Sequence, residues 1–174
     1  VVIAEAIRIT ESLDPQALYT SHHARLYRFA LAFCGSEARA AEAVQEAFLD
    51  LIRNPAQFDP QRGTSSALLF GMVRNRLRSA RRMEREEPLE DDSASEADLL
   101  LDLEREERIA AVREAILGLP EHYREVVVLC GIEECSYEDA SVALAVPVGT
   151  VRSRLSRARQ QLKRRLSGHE GSGR

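Results

Sequence analysis

Charge is sorted along this chain into three blocks, and the middle block limits what the rest can fold into. From Glu86 to Glu107, eleven acidic residues stand against a single base, Arg105. Such a stretch repels itself and offers little to bury, so it is a poor centre for one continuous core. Before it, Asp59 to Arg85 holds seven arginines against two acids, Asp59 and Glu84. After it, Val148 to Leu166 holds seven basic residues and no acid. The chain is therefore expected to form two units, residues 15–85 and 99–166, joined by an acidic, flexible linker over 86–98, with a disordered Gly- and Ser-rich tail over 167–174. The net charge of −4 hides this segregation. Two compact basic blocks in an acidic protein suggest two polyanion contacts, although charge alone leaves two solvated helix faces equally open.

Both units read as helical. Ala, Leu, Arg and Glu dominate, aromatics are 5% of the chain and Trp is absent, so the cores must be aliphatic. In the first unit, Leu26, Phe29 and Phe33 follow a helical stripe, as do Val44, Phe48, Leu51 and Ile52. Gly35-Ser36 and Asn54-Pro55 end those helices, Asp59-Pro60 with Gly63 forms a turn, and a third helix is expected from Ser65 to Arg82. In the second unit, Ile109, Val112, Ile116 and Leu119 predict one amphipathic helix, and Val126, Val127, Leu129 and Cys130 the apolar side of the next. Ser136-Tyr137-Glu138-Asp139 has the form of a capping box opening a short helix to Ala145. After the turn Val146-Pro147-Val148-Gly149, a last helix carries Val151, Leu155, Ala158, Leu162 and Leu166 at spacings of three and four.

Several function classes are excluded or disfavoured. Cys34, Cys130 and Cys135 form no disulfide framework, which suits the cytoplasm. Neither they nor His22, His23 and His122 have zinc-ligand spacing, so no metal and no cofactor is expected, and the thiols are read as buried and structural. No P-loop, nucleophile elbow or dinucleotide fingerprint occurs, and no catalytic residue is assigned. No apolar run, Ala67 to Val73 being among the longest, is long enough to span a bilayer.

The pair of helices over 137–166 has the geometry of a helix-turn-helix. With the apolar stripe of the second helix turned inward, its other faces present Arg152, Ser153, Arg154, Ser156 and Arg157. The N-terminal part of such a helix reaches base edges in the major groove, where arginine bonds guanine through two acceptors. The run Pro147-Val148-Gly149-Thr150-Val151-Arg152-Ser153-Arg154-Leu155-Ser156-Arg157-Ala158-Arg159, preceded by Leu119-Pro120-Glu121 and Ser136-Tyr137-Glu138-Asp139-Ala140, resembles region four of the extracytoplasmic-function (ECF) sigma factors. The resemblance implies that Thr150, Arg152, Ser153, Arg154, Ser156 and Arg157 contact a minus-thirty-five element. Ala145 stands where the family usually has Gly.

The first unit resembles region two of the same family. Glu42-Ala43-Val44-Gln45-Glu46-Ala47-Phe48-Leu49-Asp50-Leu51 is similar to the segment that grips the clamp of core RNA polymerase, which implies that role for Glu42, Gln45, Glu46, Leu49 and Asp50. Phe58-Asp59-Pro60-Gln61-Arg62-Gly63-Thr64 resembles the loop that receives a flipped base of the minus-ten element, and Arg74-Asn75-Arg76-Leu77-Arg78 the helix along the separated strand. The minus-ten residues so implied are Phe58, Asp59, Arg62, Gly63, Thr64, Arg74, Asn75 and Arg78. Ser65, Ser66 and Leu68 stand where the family commonly has Phe, Arg and Trp, and Ile52 replaces another Trp; if those aromatics serve only as core, Leu and Ile can fill it. The whole is expected to be an all-α protein of two small domains, a region 2 bundle and a region 4 helix-turn-helix. It is expected to be a sigma factor with core polymerase, promoter DNA and an anti-sigma factor as partners and without membrane insertion. Two other readings are a helix-turn-helix regulator that never joins polymerase and a sigma mimic that titrates an anti-sigma factor. The retained Arg152, Arg154 and Arg157 argue against the mimic.

Overall fold

The computed structural model describes residues 14–86 and 103–169, and these are helical with no strand among them. Helix α1 spans Pro15–Cys34. Asp14 caps its start by accepting from the Gln16 amide at 3.0 Å, Pro15 occupies the first turn, and Gly35 closes its end at φ 72°, a left-handed conformation that suits Gly. Helix α2 spans Glu37–Arg53, with the Ser36 hydroxyl accepting from the Arg39 amide. A short 3-10 turn over Pro55–Gln57 leads into the loop before α3, Ser65–Glu86, which outlasts its expected end at Arg82 by four residues.

The second half begins with α4, Leu103–Leu117, and α5, Glu121–Val127, with Pro120 at the boundary between them. Helix α5 runs on into a π-helical turn, Val128–Ile132, which the hydrophobic periodicity did not announce. Glu134 follows at φ 53°. Helix α6 spans Tyr137–Leu144, and Ser136 accepts from the Asp139 amide at 2.9 Å, as a capping box predicts, while the Asp139 carboxylate accepts from the Ser136 hydroxyl at 2.9 Å rather than from its backbone amide. The helix-turn-helix is completed by α7, Val148–His169. It continues three residues past the expected end at Leu166, so Ser167 to His169, expected to open the disordered tail, are helical, with the Ser167 hydroxyl bonded to the Lys163 carbonyl. Most of the acidic linker and the last five residues lie outside the described residues.

Ala145 belongs to the turn rather than to α6. It sits at φ 52°, ψ 46°, the left-handed region where a Cβ is crowded. Replacing it by Gly removes that crowding at some cost in unfolded-chain entropy. Ala145→Gly is expected to raise stability by about 0.5–1 kcal/mol, read as a higher urea midpoint at unchanged slope.

The two halves are not held apart. One continuous apolar cluster joins Leu26, Phe29 and Phe33 of α1 and Leu69, Phe70 and Val73 of α3 to Leu119, Val126 and Leu129 of the second half, and to Ala140 and Leu144 of α6. Each fully buried side chain of this kind contributes roughly 1.5–3 kcal/mol, so the junction is an extension of the core. Gly71 permits the close approach of α3 to α6, since a Cβ there would lie 3.2 Å from the Ala143 carbonyl oxygen. Two apolar expectations fail. Ile52 is 52% exposed and fills no core, because it lies at the outer edge of the α2 stripe. Ile109 and Val112 are exposed as well, because α4 meets its neighbours mainly through Ala115, Ile116 and the following Leu119.

Candidate nucleic-acid interface

Helix α7 presents the basic face its sequence requires. Val151, Leu155 and Ala158 are fully buried, which turns Arg152, Ser153, Ser156 and Arg157 to solvent. Thr150 is half-buried in the first turn, where its amide bonds the Pro147 carbonyl at 2.8 Å. The Arg152 guanidinium lies 5.6 Å from the centre of the Tyr137 ring on α6, a cation–π contact that braces it beside the N-terminus of α7. Exposed guanidinium groups near a helix N-terminus, with no acid in the first turn, favour an anionic ligand. Arg154 is half-buried and points into a cleft of about 630 Å³ that it shares with Arg74, Arg78, Arg81, Glu121 and Glu125.

Phe58, Asp59, Arg62, Gly63, Thr64, Arg74 and Asn75 line a single cavity of about 520 Å³, with Leu68 and Met72 beneath them. The sequence scattered these residues over a loop and a helix, and the fold collects them. Asp59 shapes the loop by accepting from the Gln61 amide at 2.9 Å. Thr64 caps α3, its hydroxyl accepting from the Ala67 amide at 3.1 Å. The opposite wall of the cavity is Val142, Ala143 and Ala145, which come from α6 and its turn.

This face is not free. The Thr64 hydroxyl donates to Asp139 at 2.8 Å. Arg74 is buried and forms an ion pair with the equally buried Glu125, Nε to Oε1 at 2.5 Å. Arg78, which faces the neighbouring cleft, pairs with Glu121 at 2.9 Å, and Arg81 reaches the same carboxylate at 3.3 Å. In this structure Arg74 and Arg78 are therefore engaged by counter-charges that the second half of the chain supplies.

On α2, Glu42 and Gln45 are exposed and Leu49 is half-buried. Glu46 and Asp50 are half-buried and share one partner, Arg76, at 3.2 Å from Glu46 and in closer contact with Asp50. The hydrogen bond that Arg76 donates to Asp50, with the added charge of Glu46, raises the Arg76 pKa. Arg76 was grouped by sequence with Arg74 and Arg78, but two residues along a helix is more than half a turn, so it faces α2 while the other two face the second half. The acidic face of α2 is thus partly neutralised from within, with Glu42 and Gln45 as its open part.

Sequence reasoning missed the residues that join the halves. Arg25 and Arg28, one turn apart on α1, converge on Glu133, which is 3% exposed; Arg28 holds it at 2.9 and 3.0 Å. The π-helical turn ends at Glu133 and delivers its carboxylate beneath α1. Arg124 donates to the carbonyls of Phe33, Leu117 and Leu119, joining the ends of α1 and α4. Burial, then the charge of Arg81, lowers its pKa. The available signal was Glu125 and Glu133 at the two edges of the apolar run from Val126 to Ile132. The three thiols are half-buried rather than buried and unpaired. Burial raises the pKa of each, that of Cys135 to about 11, so they stay protonated at neutral pH. No cluster able to hold a metal occurs among the described residues, and no described helix is long and apolar enough to cross a membrane.

Comparison with known proteins agrees with this geometry. Residues 18–87 match the family model "Sigma-70 region 2", and residues 109–162 match "Sigma-70, region 4". The chain is 38% identical over 144 residues to the ECF RNA polymerase sigma factor EcfG of Rhodopseudomonas palustris, covering 79% of this chain and 76% of that one. It is 35% identical over 165 residues to the ECF RNA polymerase sigma factor SigE of Mycolicibacterium smegmatis, covering 87% of this chain but 61% of that relative. Among solved structures, the sigma factor RpoE in complex with the anti-sigma factor NepR from Bartonella quintana superposes with a TM-score of 0.70 at 28% identity, over 87% of this chain and 95% of that one. CnrH in complex with the cytosolic domain of CnrY gives 0.71 at 25% identity, over 94% and 95%. Proteins of this family are transcription initiation factors, not enzymes. With both conserved regions matched in order and the helix-turn-helix exposed as they require, the chain belongs to the ECF sigma factors of RNA polymerase.

Proposed function

We propose that this chain brings core RNA polymerase to promoters from the cytoplasm, with Arg152, Ser153, Arg154, Ser156 and Arg157 reading the minus-thirty-five element and Thr150 holding its backbone. The loop from Phe58 to Thr64, with Arg74, Asn75 and Arg78, takes the separated minus-ten strand. Glu42, Gln45, Glu46, Leu49 and Asp50 dock on the polymerase clamp, Glu46 and Asp50 after exchanging Arg76 for a basic partner. In this reading the region 2 unit is 15–85 and the region 4 unit 99–166. The observation that carries it is the inward stripe of α7, which leaves Arg152 and Arg157 open to a groove. One structural neighbour is a sigma factor held in complex with a protein named as an anti-sigma factor, which supports a partner of that class here too.

Runoff transcription with purified core polymerase on candidate promoters tests the reading. Transcripts that require both proteins are expected, and promoter binding without any polymerase complex would favour an independent regulator. In the same assay Arg152→Ala is expected to weaken promoter binding by about 1–3 kcal/mol if it makes a bidentate base contact. Wild-type transcription by that variant would remove Arg152 from the reading set.

A further inference from the structure

We propose that the cleft where α3 meets α5 and the start of α7 binds a small oligophosphate, a ligand of linked phosphoryl groups such as pyrophosphate or a nucleoside triphosphate. The proposal does not depend on the promoter contacts argued above. Its ground is a surplus of guanidinium charge with a buried arginine inside it. The cleft, about 630 Å³, is lined by Arg74, Arg78, Arg81, Arg124 and Arg154, against the carboxylates of Glu121 and Glu125. Those two acids are already divided. Glu121 serves Arg78 at 2.9 Å and Arg81 at 3.3 Å, and Glu125 serves Arg74. Among the described residues no carboxylate lies within ion-pair distance of Arg124 or Arg154.

Arg124 is 8% exposed. It donates to the carbonyls of Phe33, Leu117 and Leu119, which supply dipoles but no opposing charge. Its Nε has no hydrogen-bond partner. A buried cation is ordinarily matched by an anion or gives up its charge, and arginine does not give up its charge. Burial, then the charge of Arg81, lowers the Arg124 pKa, and Glu121 and Glu125 offset this only in part. An anion set against Arg81 and Arg124 together removes the repulsion between them.

A second, smaller cavity indicates the shape of the ligand. It holds about 220 Å³ and is walled by Arg39, Arg81 and Arg124 beside Phe33, Cys34 and Leu77, with no carboxylate among the described residues that line it. Arg81 and Arg124 line both cavities, so they stand where the two meet. The smaller has room for one phosphoryl group, and the larger falls within the range of about 300–1,000 Å³ common to small-molecule sites. Linked phosphoryl groups reach both. The planar fork of a guanidinium takes phosphate oxygens two at a time, which suits this ligand to walls of arginine.

Isothermal titration calorimetry of the full chain at fixed ionic strength tests the site, with sodium pyrophosphate in one arm and ATP without divalent metal in the other. Saturable binding at one site per chain is expected. Tighter binding of ATP supports a nucleotide as the ligand, and equal or weaker binding of ATP supports an inorganic oligophosphate. No saturable binding of either at millimolar concentration overturns the proposal. Arg124 ties the ends of α1 and α4, so the variant used is Arg81→Gln, at a side chain 44% exposed. Arg53→Gln removes the same charge from the exposed end of α2, outside both cavities. Arg81→Gln is expected to bind pyrophosphate about tenfold more weakly than Arg53→Gln, the loss that follows from removing one charge-assisted partner. Equal affinities in the two variants mean that the anion answers to net charge or to the exposed arginines of α7, and they overturn the proposal.

Discussion

Glu125→Ala is expected to cost about 3–5 kcal/mol of folding stability, the range for removing one partner of a buried ion pair. Glu125 is 1% exposed and lies on the buried side of α5, between Arg124 and Val126. Its carboxylate meets Arg74 at 2.5 Å and 3.5 Å, and the guanidinium also donates to the Asn75 side chain at 3.5 Å. Without Glu125 the Arg74 charge, on a side chain only 10% exposed and beside Arg78 and Arg81, loses its counter-charge. Much of the cost is this stranded charge rather than the attraction lost. Arg74→Met with Glu125→Met removes both charges at similar volume, so the double variant is expected to recover most of the loss. Urea unfolding distinguishes these cases. Because one apolar cluster spans both halves, the wild type should unfold in a single transition. A cost below about 1 kcal/mol for Glu125→Ala would mean that water reaches the pair, as it does at exposed bridges.

The local parts of this architecture were legible in the sequence because their causes are local. Gly35, Asn54 and Pro120 mark boundaries between helices, Ser36 and Ser136 cap two of them, and the stripe Val151, Leu155, Ala158 says which side of α7 faces inward. The cationic outer face of α7 follows once that stripe is assigned. The junction was not legible, since its pairs join residues 51 and 105 positions apart, as in Arg74 with Glu125 and Arg28 with Glu133. No periodicity records which arginine meets which acid. A surface Arg and an Arg awaiting a buried carboxylate read alike, so Arg74 looked like a strand contact and nothing more. The exposed Ile109 and Val112 fail for the related reason that periodicity assigns a face without saying how far along the helix a partner extends.

Phe29→Ala is the second large expected loss, about 3–5 kcal/mol. Phe29 is fully buried and packs edge-on against Phe70 of α3, ring centres 5.3 Å apart, and against Phe33 at 6.1 Å. The two neighbouring rings, Phe33 and Phe70, are buried in their own positions, so neither is free to swing into the space. The surrounding Leu26, Leu69 and Val73 are themselves buried in place and can collapse only partly, which is the condition under which a cavity costs most. Phe70 precedes Arg74 by one turn of α3, so the same cavity loosens the helix that carries Arg74 and Arg78. For a chain of this length the melting temperature should fall by roughly 10 °C, measured by circular dichroism. Phe29→Leu, which keeps most of the volume, should cost less than about 1.5 kcal/mol. Equal losses for Leu and Ala would mean that the edge-on contact with Phe70, rather than the filled volume, holds α1 to α3.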